Sequence, residues 1–204
     1  MSLVRLTLLG MGAMNSPRFA PAGLLLRHGG RRVAFDGGPG AVPGGRLDAW
    51  LVTDEHSELR TALRRLAGEH DTEPAMAGYE SGDLRVEPCP VAHTSHPTCG
   101  YRIRAGDAVA VWAPEFWEFP DWAADADLMF ADAAGWDRPI RFRGGVGGHA
   151  SVQQTAEAAV RHGVRRLVFA HIGRPAIRAM DAGLRPPAGE WGTERRTYEL
   201  RGSR

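Results

Sequence analysis

One stretch in the first third of the chain constrains the fold more than any other. Leu47 to Val52 is a short apolar run rich in strand-forming residues, and Leu59 to Ala67 has the pattern of a helix. The polar loop between them carries Asp54, His56 and Glu58 at alternate positions. Carboxylates and imidazoles are side chains that bind divalent ions. A strand that ends in such a loop predicts a metal site at the end of a β-strand.

This loop resembles the metal-binding turn of the metallo-β-lactamase superfamily, whose pattern is T-H-x-H-x-D-H. Thr53 and His56 match that pattern. Asp54 stands at the position of the first histidine, Glu58 at that of the aspartate and Leu59 at that of the last histidine. The resemblance implies the superfamily's fold, with a metal-binding motif that is altered in this chain.

The segments before this loop follow the order found in the superfamily. Val4 to Leu9 predicts a strand, and Gly23 to Arg27 pairs with Arg32 to Phe35 as a hairpin. Asp36 then opens the run D-G-G-P-G. As a plain turn, this run needs only an aspartate that caps backbone amides and glycines that adopt positive φ. The resemblance instead implies that Asp36 lies beneath the metal site, and both interpretations stand at this point.

A histidine-containing segment, V-A-H-T-S-H-P-T-C-G-Y-R-I, follows the predicted strand Leu84 to Pro88. A single histidine after a strand is most often a surface or capping residue. The pattern H-x-x-x-P-x-x-G-Y-R-I, however, resembles the third-histidine segment of the ribonuclease Z branch and of related small phosphodiesterases. The resemblance implies that His93 is a metal ligand. His96 has no counterpart in the pattern, so we expect it to face solvent, although it could replace a missing ligand.

The superfamily's bridging aspartate has no counterpart after the predicted strand Val109 to Trp112. Where the family has Gly-Asp-Thr this chain has A-P-E, so Pro114 takes the place of the aspartate. Glu115 could reach the site only if the loop is rearranged. Aromatic residues are frequent between Trp112 and Trp122. They are typical of core packing or of a homodimer interface, and a wall that stacks on a base is the alternative.

The last third of the chain matches the superfamily most closely. A predicted strand ends at Asp132, and a glycine-rich loop leads to G-H-A-S and to a helix that Ser151 caps. His149 stands where the ribonuclease Z branch keeps a general acid, and a plain loop residue is the alternative. His171 follows the next predicted strand at the position of the final metal ligand.

These positions predict one metal ion rather than two. Asp54, His56 and His93 form a two-histidine, one-carboxylate set that is chemically competent. A second ion would depend on Glu58 and His171, without the bridging aspartate and the last histidine of the turn. Zinc is the expected ion, with manganese or iron as alternatives because a carboxylate replaces an imidazole.

The whole chain, residues 1–204, is expected to form one α/β domain, a four-layer αββα sandwich of the metallo-β-lactamase type. Asp36, Glu115 and Asp132 are expected to support the metal ligands or to contact the substrate. The predicted function is metal-dependent hydrolysis of a phosphodiester or another small anionic ester. A protein that kept the fold and lost hydrolysis, and that serves in binding, is the alternative.

Composition restricts the partners and the compartment. The net charge is +1 with no basic tail, which argues against nucleic-acid binding driven by phosphate neutralisation, and the lack of a long insertion argues against tRNA. The two cysteines cannot form a disulfide framework. No apolar run approaches the roughly 18 residues of a membrane span. We therefore expect a cytoplasmic protein with a small-molecule substrate.

Overall fold

The computed structural model describes residues 3–202 and contains two large β-sheets and a small number of helices. Residues 1–2 and 203–204, which belong to the predicted domain, lie outside the described residues. The strands are β1 (Leu3–Gly10), β2 (Gly23–His28), β3 (Arg31–Asp36), β4 (Ala49–Leu51), β5 (Pro74–Ala75), β6 (Tyr79–Ser81), β7 (Leu84–Pro90), β8 (Cys99–Ala105), β9 (Ala108–Ala113), β10 (Leu128–Ala133), β11 (Ile140–Arg141), β12 (Gly148–His149), β13 (Leu167–Ile172), β14 (Glu190–Trp191) and β15 (Thr197–Arg201). The α-helices are α1 (Arg60–Gly68), α2 (Val152–Arg161) and α3 (Arg174–Asp181).

The middle of the first sheet is apolar on both faces because both faces are covered there. Its strand order is β15-β1-β2-β3-β4-β5. In β2, Leu24 and Leu26 belong to the core shared with the second sheet, whereas Leu25 belongs to a smaller core beneath α1. Side chains along a strand point to alternate faces, so one strand supplies both layers. The helix α1 completes the smaller core with Leu63 and Leu66.

The second sheet brings three parallel strands together at its centre. Its order is β14-β13-β10-β9-β8-β7-β6, and β10 pairs in parallel with both β9 and β13. Every residue of β10 and β13 is buried, as expected for parallel strands covered on both faces. Because parallel strands end at the same edge, residues that follow β9, β10 and β13 meet there.

The helix α2 begins with the cap that the sequence predicts. The Ser151 hydroxyl oxygen accepts a hydrogen bond from the Gln154 backbone N–H at 3.2 Å, and the Gln154 side-chain oxygen accepts one from the Ser151 N–H. This reciprocal pair satisfies two N–H groups that the first helical turn leaves without partners. Gly163 follows the helix with φ of 69°, the left-handed conformation in which a glycine commonly ends a helix.

The predicted fold class, a mixed α/β sandwich with two large sheets, is confirmed. Several strands have no counterpart among the predicted elements. The longest of them is β8 (Cys99–Ala105), whose residues carry a histidine motif rather than a clear strand pattern. None of the helices within residues 3–202 has the length and apolar character that crossing a membrane requires.

We expect Ser151→Ala to lower the free energy of unfolding by about 1 kcal/mol, because the variant leaves an N-terminal N–H of α2 without its partner. Urea denaturation followed by circular dichroism measures the change. Glu157→Ala on the exposed side of the same helix is the control, with an expected change below about 0.5 kcal/mol since its ion pair with Arg161 is solvent-exposed. Equal changes in the two variants would contradict the capping interpretation.

Candidate metal centre

Three titratable side chains meet where the central parallel strands end. Glu115 follows β9, Asp132 lies near the end of β10 and His171 near the end of β13. Glu115 and His171 border a cleft of about 580 Å³, and Asp132 lies buried behind it. Besides Glu115 and His171, its ionisable lining residues are Asp54, His56, Glu58, His93, His96, His149 and Arg174. The fold therefore gathers every metal ligand predicted from the sequence, together with His149, around one opening.

Glu115 occupies the centre of this cleft, between two histidines. Its Oε1 atom lies 2.8 Å from His171 Nε2, and its Oε2 atom lies 3.6 Å from His93 Nε2. The Glu115 side chain is 25% exposed, whereas the two histidines are buried. The loop after β9 therefore has the rearrangement that the sequence analysis required if Glu115 was to reach the site. We name His93, Glu115 and His171 the Glu115 cluster.

A backbone contact fixes the orientation of His93. Its Nδ1 atom lies 2.8 Å from the carbonyl oxygen of Gly148, so the Nδ1–H donates and Nε2 is left facing Glu115. This contact needs the glycine-rich loop. A side chain at Gly147 would place its Cβ 2.0 Å from the His93 carbonyl oxygen, and the φ of Gly147 is 135°. Only glycine lets the two backbones approach this closely.

His149 is held by the most deeply buried carboxylate of the site. Its Nδ1 atom lies 2.7 Å from Asp132 Oδ2, which leaves Nε2 for the cleft. Asp132 has no solvent exposure, and its oxygens also accept hydrogen bonds from the backbone N–H groups of Phe116 and Ala134. The His149 ring stacks on His171 at 5.1 Å and lies 4.7 Å from His93. His149 is therefore oriented toward the Glu115 cluster.

His171 occupies an irregular position in its strand. Between the pairs Ala131–Phe169 and Ala133–Ile172, β13 contains one residue more than β10. This bulge coincides with a φ of 54° at His171, a conformation that costs a non-glycine residue free energy. The bulge turns the imidazole toward Glu115. Its Nδ1 atom is 3.6 Å from Asp132 Oδ1 and has no hydrogen-bond partner among the described residues.

The charges of this cluster stabilise one another. Burial alone would raise the pKa of Glu115, but His171, His93 and His149 together hold that pKa at about 2. Burial alone would lower the pKa of His171, but Glu115 and Asp132 raise it to about 10. The same histidines hold the pKa of Asp132 below its usual range against the effect of burial. In the metal-free protein, the site is a network of carboxylates and imidazolium.

The opposite wall of the cleft carries a second group of donors. His96 Nε2 lies 3.0 and 3.1 Å from the two carboxylate oxygens of Asp54, and the His56 ring lies 4.9 Å from the His96 ring. We name Asp54, His56 and His96 the Asp54 cluster. The expectation that His96 faces solvent is wrong, because Asp54 binds it and its side chain is only 35% exposed. Glu58 is exposed at the rim of the cleft.

Apolar residues occupy the region where the superfamily pattern has its lost ligands. Leu59 and Pro114 border a cavity of about 50 Å³ together with Met14 and Leu63. Asp54, Glu115 and His171 border the same cavity. An ion beside His171 would therefore meet hydrocarbon on the side where the family pattern has a histidine and an aspartate. Its donors would have to come from the other side, where Glu115 and His93 lie.

Asp36 joins the metal-loop segment to the second sheet. One of its carboxylate oxygens accepts hydrogen bonds from the N–H and hydroxyl of Thr53, and the other accepts one from the Trp112 indole N–H at 2.7 Å. Burial raises the pKa of Asp36 to about 7, against these three hydrogen bonds, which lower it. Asp36 therefore has a supporting position beneath the loop that carries Asp54, as the resemblance implies.

The aromatic residues after β9 pack in the core and do not form a wall of the cleft. Trp112 and Phe116 are fully buried. Trp117 and Phe119 border a separate cavity beside α2. The aromatic ring that borders the cleft is Phe142, which contacts the rings of both His93 and His149 at right angles or nearly so. No sequence pattern indicates this position, because Phe142 lies in an irregular loop far along the chain from the aromatic segment.

Two donor sets in this region have the composition of a metal site, but among the described residues only one of them has three donor atoms within 4.8 Å of one another. Ligand atoms of Asp132, His149 and His171 lie within 4.8 Å of one another. Asp132, however, already accepts three hydrogen bonds and is fully buried. The Glu115 cluster has a more open carboxylate. Two ligand atoms that are each about 2.1 Å from a tetrahedral ion lie about 3.4 Å from each other. The Glu115 oxygens lie 2.8 Å from His171 Nε2 and 3.6 Å from His93 Nε2, on either side of that value.

The fold and this site define a class: two-sheet α/β sandwiches with a cleft at the sheet edges that is lined by histidines and carboxylates. A family model described as a β-lactamase superfamily domain matches residues 41–172. The chain belongs to this superfamily, as the resemblance of its motifs implies. A search of curated protein sequences finds no significant match.

Solved structures agree with this assignment. A diphosphatase from the PhnP family is 17% identical, with 98% of each chain covered and a TM-score of 0.72. Zn²⁺-bound PqqB from Methylobacterium extorquens is 13% identical, with 96% of this chain and all of that chain covered and a TM-score of 0.71. The short form of human tRNase Z is 15% identical, with 95% and 98% covered and a TM-score of 0.69. At these identities the similarity shows a shared fold.

We expect Glu115→Ala to weaken the binding of a tightly held divalent ion by at least about 100-fold, because it removes the one carboxylate that contacts both His93 and His171. Elemental analysis of dialysed protein measures the ion. Glu118→Ala, an exposed change in the same loop, should leave the metal content at the wild-type level. Full metal retention in Glu115→Ala would exclude Glu115 as a ligand.

Proposed function

We propose that this protein is a metal-dependent hydrolase of phosphodiesters or other small anionic esters, with one tightly bound divalent ion in the Glu115 cluster. The observation that carries the proposal is the position of His149. Its ring lies within about 5 Å of the rings of both His93 and His171, and its Nδ1–H donates to Asp132. A proton donor thus stands beside the residues that would hold the ion.

The residues that would hold the ion are His93 and His171, through their Nε2 atoms, and Glu115. When bound there, a divalent ion supplies Lewis-acid polarisation and lowers the pKa of water. Zinc is the first choice, since two imidazoles and one carboxylate with an open position form a catalytic zinc set, and manganese and iron suit the same donors. Asp54, His56 and Glu58 remain at the cleft as further donors.

His149 would act as the general acid. The hydrogen bond from Nδ1–H to Asp132 orients the ring, so Nε2 is the ring atom that can present a proton to the cleft. That proton would pass from Nε2 to the leaving oxygen as its bond to the phosphoryl or acyl centre breaks. Asp132 orients the ring and does not itself contact the substrate, because it has no exposure.

The rim of the cleft suits an anionic substrate. Arg174 is exposed there, and Gly173 and Pro175 beside it form the beginning of α3. Backbone N–H groups at a helix N-terminus and a guanidinium both favour negative charge. The diphosphatase and the tRNase Z with which this fold is shared support an ester of phosphoric acid. The net charge of +1 argues against tRNA itself.

A protein of this fold that binds a ligand without hydrolysis is the second candidate. The observation that favours it is the apolar contact surface of Leu59 and Pro114 beside His171, which removes donors from one side of the site. The two candidates differ in turnover. Purified protein is assayed on bis-p-nitrophenyl phosphate and on an alkyl phosphodiester with zinc, manganese or iron supplied. Absence of turnover in every combination would favour the second candidate.

We expect His149→Ala to slow hydrolysis of the alkyl phosphodiester by about 10²- to 10⁴-fold, the usual effect of losing a general acid. Hydrolysis of bis-p-nitrophenyl phosphate should slow much less, because p-nitrophenolate leaves without protonation. Both rates are measured with metal content determined on the same samples. Asp132→Asn keeps the shape of the side chain behind His149 but removes its charge. This variant should also slow the alkyl phosphodiester more than bis-p-nitrophenyl phosphate, by a smaller factor than His149→Ala. Equal slowing on both substrates would contradict the role of His149.

A further inference from the structure

One wall of the cleft carries two apolar side chains that the proposed chemistry does not use. The first is Ile140, in the short hairpin of β11 and β12. There Ile140 pairs with His149, and Arg141 pairs with Gly148. Residues that pair directly across two strands project their side chains to the same face. Ile140 therefore lies beside the general acid proposed above, and both side chains border the cleft.

Phe142 continues this apolar face. It follows β11 with an extended backbone, φ −76° and ψ 151°, so its side chain returns to the face of Ile140, whereas that of Arg141 points to the other side. The Arg141 guanidinium lies over the Trp117 ring, 5.1 Å from its centre. The Phe142 ring lies 5.4 Å from the ring of His149. Both apolar side chains border the cleft and are only half-buried, so part of each is open to a ligand.

Backbone contacts hold this apolar face in place. The Phe142 N–H donates to the Gly147 carbonyl at 2.9 Å. The Gly148 N–H donates to the His93 carbonyl, also at 2.9 Å. The two strands approach closely at Gly148, where a Cβ atom would lie 1.9 Å from the Ile140 carbonyl oxygen. Glycine permits this approach because it has no side chain. The hairpin is therefore attached to the segment of His93, and its apolar side chains are held at the cleft.

We propose that Ile140 and Phe142 form the subsite for the leaving group, and that the preferred substrate is an ester whose leaving alcohol carries an aromatic or bulky apolar group. This inference rests on the proposed function, in which His149 protonates the leaving oxygen. The body of the alcohol attached to that oxygen then lies beside the same histidine. An apolar group in this place removes the surface of both side chains from water, and an aromatic one can also pair with the Phe142 ring.

The same wall disfavours a polar leaving group. A hydroxyl-rich alcohol, such as a sugar, would lose water against Ile140 and Phe142 without gaining hydrogen bonds from their side chains. The charge of the phosphoryl group, by contrast, is matched by Arg174, which borders the same cleft. Such a cleft suits a substrate that combines an anionic ester centre with an apolar leaving group.

The test is the direction of cleavage of an unsymmetrical diester, methyl 2-phenylethyl phosphate. Its hydrolysis releases either methanol or 2-phenylethanol, two alcohols of similar acidity. We expect wild-type protein, purified without chelator, to release 2-phenylethanol in excess by at least about 10-fold, the usual scale of discrimination by an apolar pocket. Phosphorus NMR quantifies the two monoester products. Their ratio does not depend on metal content or on the active fraction, because both products arise in the same sample.

Two variants assign the preference to the hairpin. Phe142→Ala should lower the product ratio by at least about 5-fold, because it removes most of the apolar surface beside the leaving group. Val146→Ala, an exposed change in the same loop, should keep the wild-type ratio. If the Phe142 ring served only to pack against the imidazoles, Phe142→Ala would lower the total rate and leave the ratio unchanged.

The outcomes separate this inference from the proposed function. Turnover with equal release of the two alcohols, or a preference that Phe142→Ala retains, would overturn the subsite and leave the hydrolase intact. Absence of turnover in the wild type would overturn the hydrolase, and binding then decides on the subsite. Calorimetric titration with 2-phenylethylphosphonate and with methylphosphonate compares the same two groups without hydrolysis. Binding of the phenylethyl ligand that is tighter by at least about 10-fold, and that loses this advantage in Phe142→Ala, would support the subsite. Equal binding of the two ligands would overturn it.

Discussion

The site depends on one fully buried carboxylate, that of Asp132. The free-energy cost of removing a carboxylate from water must be offset by hydrogen bonds and by opposite charge. Two backbone N–H groups and the His149 ring supply this compensation. One of those N–H groups belongs to Phe116, so the bond also fixes the loop that carries Glu115. Asp132 thereby determines both where the His149 ring stands and where the Glu115 carboxylate is held.

The position of Glu115 illustrates how a fold can keep a site after losing a residue of its pattern. Pro114 stands where the pattern has an aspartate, and the carboxylate comes from the next residue. In a continuing strand, neighbouring side chains would point to opposite faces. Here β9 ends at Ala113, and the loop is held by the Phe116 N–H on Asp132 and the Ala150 N–H on the Phe116 carbonyl. Glu115 is therefore free to turn toward His93 and His171.

Much of the fold was predictable from the sequence, because alternating apolar runs, glycine turns and the Ser151 cap are local signals. His93, His149 and His171 also lie at the cleft as their segments predict. The contacts that define the site were not predictable. Asp54 and His96 are 42 residues apart, and whether they meet depends on how the two sheets pack. The direction of Glu115 depends on a hydrogen bond to a different strand, which no local pattern records.

The hydrogen bonds of Asp36 have a consequence for the size of what can enter the cleft. Asp36 ends β3 of the first sheet and binds the Trp112 indole of the second, while the Tyr101 hydroxyl donates to the Val52 carbonyl at 2.7 Å. These buried cross-connections hold the two sheets together beneath the site. Asp54 and Glu115 both lie in loops that follow strands joined in this way, so the core limits how far the two sides of the cleft can separate. A cleft of limited width favours ligands whose inserted group is thin enough to fit between its two sides.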